Sequence, residues 1–480
     1  MSPFLILGIF LAYTVLIFVV TYLTSRQADN QTFFIGNKVS PWYVVAYGMI
    51  GASLSGVTFM SVPGAVRDTQ FTYMVMVFGF LAGYFVIATI LLPLYYRLNL
   101  TSIYTYLEQR FGFWTYKTGA SFFMISRILG ASFRMFLVVN VLQVFVFDAW
   151  GIPFFANVLL FITLIILYTL RGGIKTIVWT DTLQTTFMLL AVAMSIYFIS
   201  KEMHTTVTGL ASQVWHSSTS RMMIWDWHNS RFFLKQFLSG MFIAIVMTGL
   251  DQEMMQKNLS CKNLREAQIN MFTFSGTLVF VNLMFLFLGA VLMLYMSSHS
   301  ITLTMSDNIF PTIALQYLGP VAGVVFMIGL ISAAYPSADG ALTSLTTSFC
   351  IDFLGFNRLA ISDKQKRRIR YRVHLSVAAI FLVVIVIFRA INDKAVIEKL
   401  YTIAGYTYGP LLGFFSFGLF TKWQVRDKWV PLVAVISPVI SYVLSVYSVQ
   451  WFNGYKMGFE LLIINGLITF LGLFLLRKEN

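Results

Sequence analysis

Charged side chains are scarce in this sequence: they make up 11% of its 480 residues, against roughly 25% in an ordinary soluble domain. Hydrophobic residues make up 58%, so too few polar side chains remain to cover a surface that faces water. Cysteine is also rare, with only Cys261 and Cys350, which argues against a disulfide framework or a cysteine-based metal site. The composition therefore predicts a protein whose surface is largely in contact with membrane lipid.

Long apolar runs are what the sequence has in abundance. A bilayer core about 30 Å thick needs about 20 apolar residues per helix. No basic residue precedes the first run, LILGIFLAYTVLIFVVTYL, so we expect it to remain as a helix and not to be a cleaved signal peptide. The runs predict an all-α polytopic membrane protein of about 13 transmembrane helices, at 4–24, 42–62, 72–96, 118–147, 154–170, 175–200, 232–251, 268–297, 319–347, 373–391, 396–420, 429–448 and 459–476.

The basic residues, which give a formal net charge of +14, lie between the predicted helices. Loops on one side, including 252–267 and 352–372, hold 22 of the 33 Lys and Arg residues, and the opposite loops hold six. By the positive-inside rule the N-terminus is outside and the C-terminus is in the cytosol. The strongest block, KQKRRIRYR at 364–372, is typical of contact with anionic lipid, so we expect no nucleic-acid partner.

A few ionisable residues fall inside the predicted membrane spans. Each costs about 2.5–3.5 kcal/mol at the bilayer centre even on a lenient scale, which makes them functional candidates. Arg127 and Arg134 share nearly one face of the fourth helix, and Asp181, Asp251 and Asp339 lie in later helices. A structural ion pair or an end group that reaches the interface is the alternative, above all for Arg127 and Asp251.

Two helices carry helix-weakening residues at mid-membrane depth, in YGMIGASLSGVTFMSVPGA and in SGMFIAIVMTGL. Small and hydroxyl residues let backbone carbonyls turn toward a cavity, although close helix packing also uses them. The two helices open five-helix blocks at 42–200 and 232–420, and an odd number of helices gives the blocks opposite orientations. Paired interruptions in inverted repeats indicate a transporter site at the midplane. Around the blocks we expect an additional N-terminal helix within 1–30, an external loop at 201–231, and two further helices with a short cytosolic tail at 429–480.

These features resemble the sodium:solute symporter family, which has the leucine-transporter fold and includes carriers of sugars, proline, sialic acid and pantothenate. The likeness spans nearly the whole chain and implies sodium-coupled uptake of a small organic solute by alternating access. It rests on FFIGNK at 33–38, ASLSGVTFMSVPGAV at 52–66, RGGIKTIVWTDTLQ at 171–184, GLDQEMMQKNLSCKNLREA at 249–267, SAD at 337–339 and YTYGPLLGFFSFGLF at 406–420.

The resemblance implies a sodium site made of backbone carbonyls and hydroxyls, for which the matching residues are Gly51, Leu54, Ala333 and Ser337. One further hydroxyl position is Pro336, so the site loses that ligand or takes one from Ser332, Ser53 or water. Asp181 matches an aspartate near a second sodium in some members. We expect one sodium per cycle, with Asp181 aiding its release or acting electrostatically.

The resemblance also places the candidate solute contacts, which are Ser53, Ser55, Thr58, Arg134 and Met247. Where sugar carriers have Gln, Glu and Asn side chains, this chain has an apolar and small set: Val57, Thr58, Ala244 and Met247. The Arg134 guanidinium offers a planar fork for a carboxylate. We therefore expect a small organic anion, with a sugar, an amino acid or proton coupling as alternatives.

A channel and a membrane enzyme are the rival classes. The sequence has no filter motif that would form a ring, no H-E-x-x-H and no Cys/His set. We therefore expect no catalytic residues and no metal other than sodium. The expected partners are the solute and membrane lipids, with no obligate protein partner, and the expected location is the inner (plasma) membrane.

Overall fold

The structure is a computed structural model that describes residues 3–24, 33–34, 36–356, 358–391 and 396–478. Within these ranges the chain forms helices and loops and no β-strand. We number the principal helices in chain order as α1 Pro3–Thr24, α2 Trp42–Ser53, α3 Gly56–Thr69, α4 Tyr73–Arg97, α5 Phe113–Trp150, α6 Phe154–Leu170, α7 Thr176–Glu202, α8 Phe233–Gly249, α9 Gln252–Asn258, α10 Leu264–Ser298, α11 Gly319–Phe353, α12 Asp363–Ile391, α13 Val396–Thr407, α14 Gly409–Phe420, α15 Val430–Trp451 and α16 Leu461–Leu475. Short helices in the connections are Thr105–Arg110, Val207–Trp215 and Ile309–Thr312.

The helices confirm the all-α polytopic class. Among the described residues, eight helices are each long and apolar enough to cross a membrane, and the number rises to 11 if each of three bent pairs is one span. Two shorter apolar helices, α6 and α16, complete the set. The total of about 13 spans, the outward N-terminus and the division into two repeats stay predictions.

The first bent pair is α2 and α3, which meet at 56°. Leu54 (φ −90°, ψ 46°) and Ser55 (φ −47°, ψ 179°) leave the helical region between them. Gly51, Ser53 and Gly56 surround this break, and such residues stabilise a helix poorly. The last carbonyls of α2 and the first N–H groups of α3 therefore lose their helical partners at mid-span.

The second bent pair corrects the sequence prediction. The helix predicted at 232–251 is confirmed as α8, but the loop predicted at 252–267 is wrong, because the chain bends by 70° after α8 and continues as the buried helix α9. Asp251 caps α9 by accepting the backbone N–H groups of Glu253 and Met254 at 2.9 and 3.3 Å. Glu253 and Lys257 thus lie inside the protein, where hydropathy did not place them, because their charges are paired with one another and with neighbouring helices.

The third bent pair is α13 and α14, which the sequence predicts as one helix at 396–420 and which meet at 44°. Tyr408 lies between them, and Pro410 stands at the start of α14. Proline has no N–H group and is accepted only in the first turn of a helix, so a new helix begins here. A separate turn between α6 and α7 is confirmed at Gly173, whose φ of 56° ends the helical conformation.

Helix α11 is the centre of the packing. It contacts α6 and α7 most extensively and also packs against α1, α2, α3, α5 and α12. Every residue from Leu330 to Ser348 is buried. By contrast, α15 has an exposed apolar surface along most of its length. The chain therefore surrounds α11 and the broken helix α2–α3 with the other helices and leaves its last helices at the periphery.

Candidate functional site

A cavity of about 70 Å³ lies beside the break between α2 and α3, where α4, α5, α8, α10 and α13 also contribute residues. Helix-weakening residues make this break, so the cavity follows from the local sequence. All five predicted solute contacts line it: Ser53, Ser55, Thr58, Arg134 and Met247. The small and apolar set Val57, Thr58, Ala244 and Met247 lines it as well. The structure thus brings the predicted contacts together, and their role in binding stays a prediction.

Arg134, on α5, differs from Arg127 two turns before it on the same helix. Arg127 pairs with Asp251 at 3.7 Å and contacts the Glu253 carboxylate directly. Arg134 makes no hydrogen bond or ion pair with any residue that the structure describes, and its Nε is enclosed. Because an enclosed charge without a partner is unfavourable, the Arg134 guanidinium is available to an anion in the cavity.

The start of α3 lies directly against α5 at Arg134. A Cβ atom added to Gly56 would lie 3.6 Å from the Arg134 carbonyl oxygen and 3.0 Å from the Val138 side chain. The first N–H groups of α3 lack helical partners, and a helix N-terminus carries a partial positive charge that favours anions. The N-terminus of α3 is therefore packed against the backbone of α5 at Arg134.

Asn282 is a cavity residue that sequence reasoning missed. It lies on α10, is 2% exposed, and donates from Nδ2 to the Leu278 carbonyl at 2.8 Å. Its Oδ1 has no hydrogen-bond partner among the described residues, although Asn282 lines the cavity. The available signal is one asparagine within the apolar run LVFVNLMFLFL, since an amide in a membrane helix needs a partner.

Tyr73 and Tyr401 separate this cavity from a larger one. Their hydroxyl oxygens are 3.1 Å apart, and both residues line both cavities. The larger cavity, about 390 Å³, extends past the end of α3 and is lined in part by Asp68, Arg231 and Lys456. We call it the vestibule. The contact between these two tyrosines thus lies where the vestibule and the central cavity meet.

The predicted sodium ligands lie at the end of α2 and in the middle of α11, two helices that pack together. Gly51 and Leu54 are at the break, where backbone carbonyls have lost their helical partners. Ala333 and Ser337 are one turn apart on α11, and both are buried. The Ser337 hydroxyl has no hydrogen-bond partner among the described residues. Buried, unpartnered oxygens of this kind suit sodium.

Pro336 also changes α11 beside this site. Because proline lacks an N–H group, the Ser332 carbonyl one turn before it loses its helical partner. The Ser332 hydroxyl is already engaged, at 2.6 Å from the Ile328 carbonyl and 2.8 Å from the Tyr13 hydroxyl. Of the oxygens that could replace the missing hydroxyl ligand, the Ser332 carbonyl is therefore freer than the Ser332 side chain.

Asp181, on α7, lies against α2. A Cβ atom added to Gly48 would lie 3.1 Å from the Asp181 Cβ. One carboxylate oxygen of Asp181 is 2.7 Å from Lys257 Nζ, and Lys257 is also 3.4 Å from Glu253. The other Asp181 oxygen has no hydrogen-bond partner among the described residues. Lys257 thus supplies a cation beside the Asp181 carboxylate, and sequence reasoning missed it.

A central cavity between broken helices, with unpartnered oxygens beside it, defines a secondary transporter with the leucine-transporter type of fold. The family model for the sodium:solute symporter family matches residues 33–426. The chain belongs to this family.

The names of two curated relatives give different solutes. The chain is 22% identical over 458 residues to the sodium/sialic acid symporter NanT of Aliivibrio fischeri, covering 93% of this chain and 89% of that protein. It is 24% identical over 406 residues to sodium-coupled monocarboxylate transporter 1 of Mus musculus, covering 82% and 64% respectively. The chain is therefore a sodium-coupled solute symporter with sodium as its coupling ion.

Solved structures show the same fold. A substrate-bound, outward-open sodium-coupled sialic acid symporter is similar over 99% of both chains, with a TM-score of 0.84 at 18% identity. Mhp1, a nucleobase-cation-symport-1 family transporter in a closed conformation, is similar over 92% of both chains, with a TM-score of 0.59 at 12% identity. At these identities the likeness extends to the arrangement of the helices and not to the solute.

Proposed function

We propose that this chain carries a small organic carboxylate into the cell together with one sodium ion per cycle, across the inner (plasma) membrane. The observation that carries the proposal is Arg134, a guanidinium in the wall of the central cavity without a partner among the described residues. Bidentate hydrogen bonds to a carboxylate would satisfy this group, whereas a neutral sugar would leave its charge uncompensated.

The surroundings of Arg134 support the same solute class. The N-terminus of α3 adds backbone N–H groups at Gly56 and the residues after it, on the side of the cavity that Arg134 occupies. The wall formed by Val57, Ala244 and Met247 is apolar or small and offers a hexose few hydrogen bonds. Asn282 Oδ1 would accept a hydrogen bond from a hydroxyl or N–H group on the same solute.

The size of the cavity favours a short acid. Its 70 Å³ is several times smaller than the roughly 300–1,000 Å³ of pockets that hold drug-sized ligands. A bulky sugar acid would fit only if Tyr73 and Tyr401 parted and joined the cavity to the vestibule. We therefore favour a short monocarboxylate over a sialic acid.

The predicted sodium ligands Gly51, Leu54, Ala333 and Ser337 would hold the coupling ion. One sodium per cycle is favoured because the Lys257 ammonium already lies against Asp181, the carboxylate that would attract a second. The two inverted repeats at 42–200 and 232–420, with the N-terminus outside, would place the breaks of α2–α3 and α8–α9 opposite one another at the midplane. Alternating access would move these repeats about the cavity.

Uptake into proteoliposomes tests the proposal. The solutes are labelled lactate, pyruvate, propionate, N-acetylneuraminate, glucose and proline, with sodium and proton gradients imposed separately. We expect uptake of a short acid driven by sodium alone. Sodium-driven uptake of glucose or proline but of no acid would overturn the carboxylate. Uptake of N-acetylneuraminate but of no short acid would overturn the size argument.

Variants of Arg134 make the test specific to the site. Arg134→Gln is expected to abolish uptake of the acid, and Arg134→Lys to retain a small part of it, since lysine keeps the charge but not the planar fork. The matched control is Arg221→Gln, which removes a guanidinium from the exposed external segment and is expected to transport normally. Full uptake by Arg134→Gln would remove Arg134 from the site.

A further inference from the structure

Two hydrogen bonds join α1, the additional helix outside the predicted repeats, to α11. The hydroxyl oxygens of Tyr13 and Ser332 are 2.8 Å apart, and those of Thr14 and Tyr335 are 2.7 Å apart. The Ser332 hydroxyl is the donor toward the Tyr13 hydroxyl, and it also lies 2.6 Å from the Ile328 carbonyl, so its one proton is shared between two acceptors. Thr14 can donate to the Phe10 carbonyl at 2.7 Å and accept from Tyr335. Two hydroxyl–hydroxyl hydrogen bonds therefore hold α1 against this turn of α11.

Aromatic packing surrounds these bonds. The Tyr335 ring stacks with Tyr13 at 6.3 Å and with Phe10 at 6.5 Å between ring centroids, and Phe161 of α6 stacks with it at 5.5 Å. All four side chains are almost fully buried. Most other side chains of α1 outside this face are exposed, so the helix meets the protein along one narrow stripe.

The bonded residues fall on the turn of α11 that bears the predicted sodium ligands. Ser332 and Tyr335 lie on one face, and Ala333 and Ser337 lie about 100–160° around the helix from them, at about 100° per residue. Pro336 lies between the two sets and removes the N–H group that would hold the Ser332 carbonyl. A helix that has lost a backbone hydrogen bond at this turn is easily bent.

We propose that Tyr13 and Thr14 position the sodium-binding turn of α11 by holding the face of the helix that is turned away from the ion, so that α1 sets the affinity of the transporter for sodium. The inference rests on the sodium site proposed above. Tyr13 and Thr14 are positioning residues that hold Ser332 and Tyr335 in place, and they do not contact the ion. Through these bonds the Ser332 carbonyl, freed by Pro336, keeps a fixed direction next to Ala333 and Ser337.

The test uses Tyr13→Phe, which keeps the stacked ring and removes only the hydroxyl, and Thr14→Val, which keeps the shape. The matched control is Thr21→Val on the same buried face of α1, since the Thr21 hydroxyl has no partner among the described residues. Sodium half-saturation is measured for uptake of the short acid into proteoliposomes. Independently, the melting temperature of the full chain in detergent is followed against NaCl, with choline chloride at equal ionic strength.

Loss of one hydrogen bond, about 0.5–1.5 kcal/mol, is expected to raise the half-saturating sodium concentration by about 2- to 12-fold in Tyr13→Phe and Thr14→Val. Half-saturation by the acid at saturating sodium should stay unchanged, as should every value for Thr21→Val. Because Tyr13→Phe could fold poorly, Ser332→Ala removes the same bond from the other side. The double variant of Tyr13→Phe and Ser332→Ala should raise the half-saturating sodium concentration no more than either single variant does.

Three outcomes would contradict these ideas in distinguishable ways. A lower melting temperature with an unchanged sodium midpoint would make α1 an anchor only and overturn the positioning role. An equal rise of the half-saturating sodium concentration in Thr21→Val would show a general effect of α1. It would also overturn the positioning role. A wild-type protein that sodium neither stabilises nor drives would remove the sodium site itself, and with it both proposals.

Discussion

The Lys257 ammonium lies 2.7 Å from the Asp181 carboxylate, and both side chains are almost fully buried. Lys257 comes from the half-helix α9 and Asp181 from α7, so the pair ties a broken helix to an unbroken one. Glu253 and Arg127 extend the pair into a chain of charges that reaches Asp251 and, through it, the Tyr408 hydroxyl at 2.8 Å. We call this chain of charges the inner network.

The pairing of Asp181 predicts one sodium per cycle. We expect a sodium Hill coefficient near one in initial-rate measurements, because Lys257 already neutralises the carboxylate that a second ion would need. Asp181→Asn should weaken or abolish coupling between sodium and solute fluxes. A Hill coefficient near two, or normal coupling in Asp181→Asn, would contradict the assignment.

The same pair predicts non-additive stability. Lys257→Met and Asp181→Asn each leave a buried charge with poorer pairing, which costs roughly 3–5 kcal/mol when a buried pair is broken. The double variant removes both charges and should be less destabilised than the sum of the single ones. Melting temperatures of the three variants in detergent give the comparison, and simple additivity would show that the two side chains act independently.

Arg127 and Arg134 should respond in opposite ways to the same substitution. Arg127→Met strips Asp251 and Glu253 of their guanidinium partner and should lower stability by roughly 3–5 kcal/mol. Arg134→Met removes an unpaired cation and should leave the melting temperature unchanged or higher, while abolishing uptake of the acid. Equal losses of stability in the two variants would mean that Arg134 has a structural partner in the protein.

The contact between Tyr73 and Tyr401 predicts a change in access. A cysteine introduced as Thr58→Cys, with Cys261 and Cys350 replaced by serine, reports on the central cavity. Adding Tyr73→Ala should increase the rate at which an impermeant thiol reagent in the vestibule modifies this cysteine, because the two cavities then join. Tyr22→Ala, at an exposed site on α1, is the control. An unchanged rate would show that another barrier closes the cavity.

Gly51 should tolerate no side chain where α2 meets α7. A Cβ atom there would overlap the Thr185 hydroxyl, so Gly51→Ala is expected to lower sodium affinity and stability. Thr185→Ala should restore part of the loss by opening space. Gly130→Ala, on α5 with no atom within 4 Å of the added Cβ, should be stabilising by about 0.5–1 kcal/mol. Loss of sodium affinity in Gly130→Ala would make the Gly51 result non-specific.

The interruption of α2–α3 could be predicted because its cause is local: Gly51, Ser53 and Gly56 weaken a helix wherever they stand. The candidate solute contacts came from the family resemblance, and the structure places all five of them around one cavity beside this break. The bend at Tyr408 was missed, since a proline at the start of α14 has the same sequence signal as one that kinks a continuous helix. A break caused by several helix-weakening residues can thus be predicted from the sequence, whereas a break marked by one proline cannot be told from a kink.

The inner network could not be predicted, because hydropathy counts each charge separately. Glu253 and Lys257 made 252–267 resemble a cytosolic loop, although each charge is neutralised by a partner far away in sequence. Asn282 was missed for a related reason, since its effect depends on which side of α10 faces the cavity. Such contacts depend on how the helices pack together, which the sequence of a single segment does not show.

The two sides of the central cavity are closed by contacts of unequal strength. Opening toward the vestibule breaks one hydrogen bond between Tyr73 and Tyr401, worth about 0.5–1.5 kcal/mol. Opening on the other side would pull α9 away from partners that hold several buried charges, at roughly 3–5 kcal/mol for each pair left broken. We therefore expect the empty carrier to favour the conformation that opens toward the vestibule. A carrier with this preference binds its cargo from the vestibule side first, and the sodium gradient then decides the direction of net uptake.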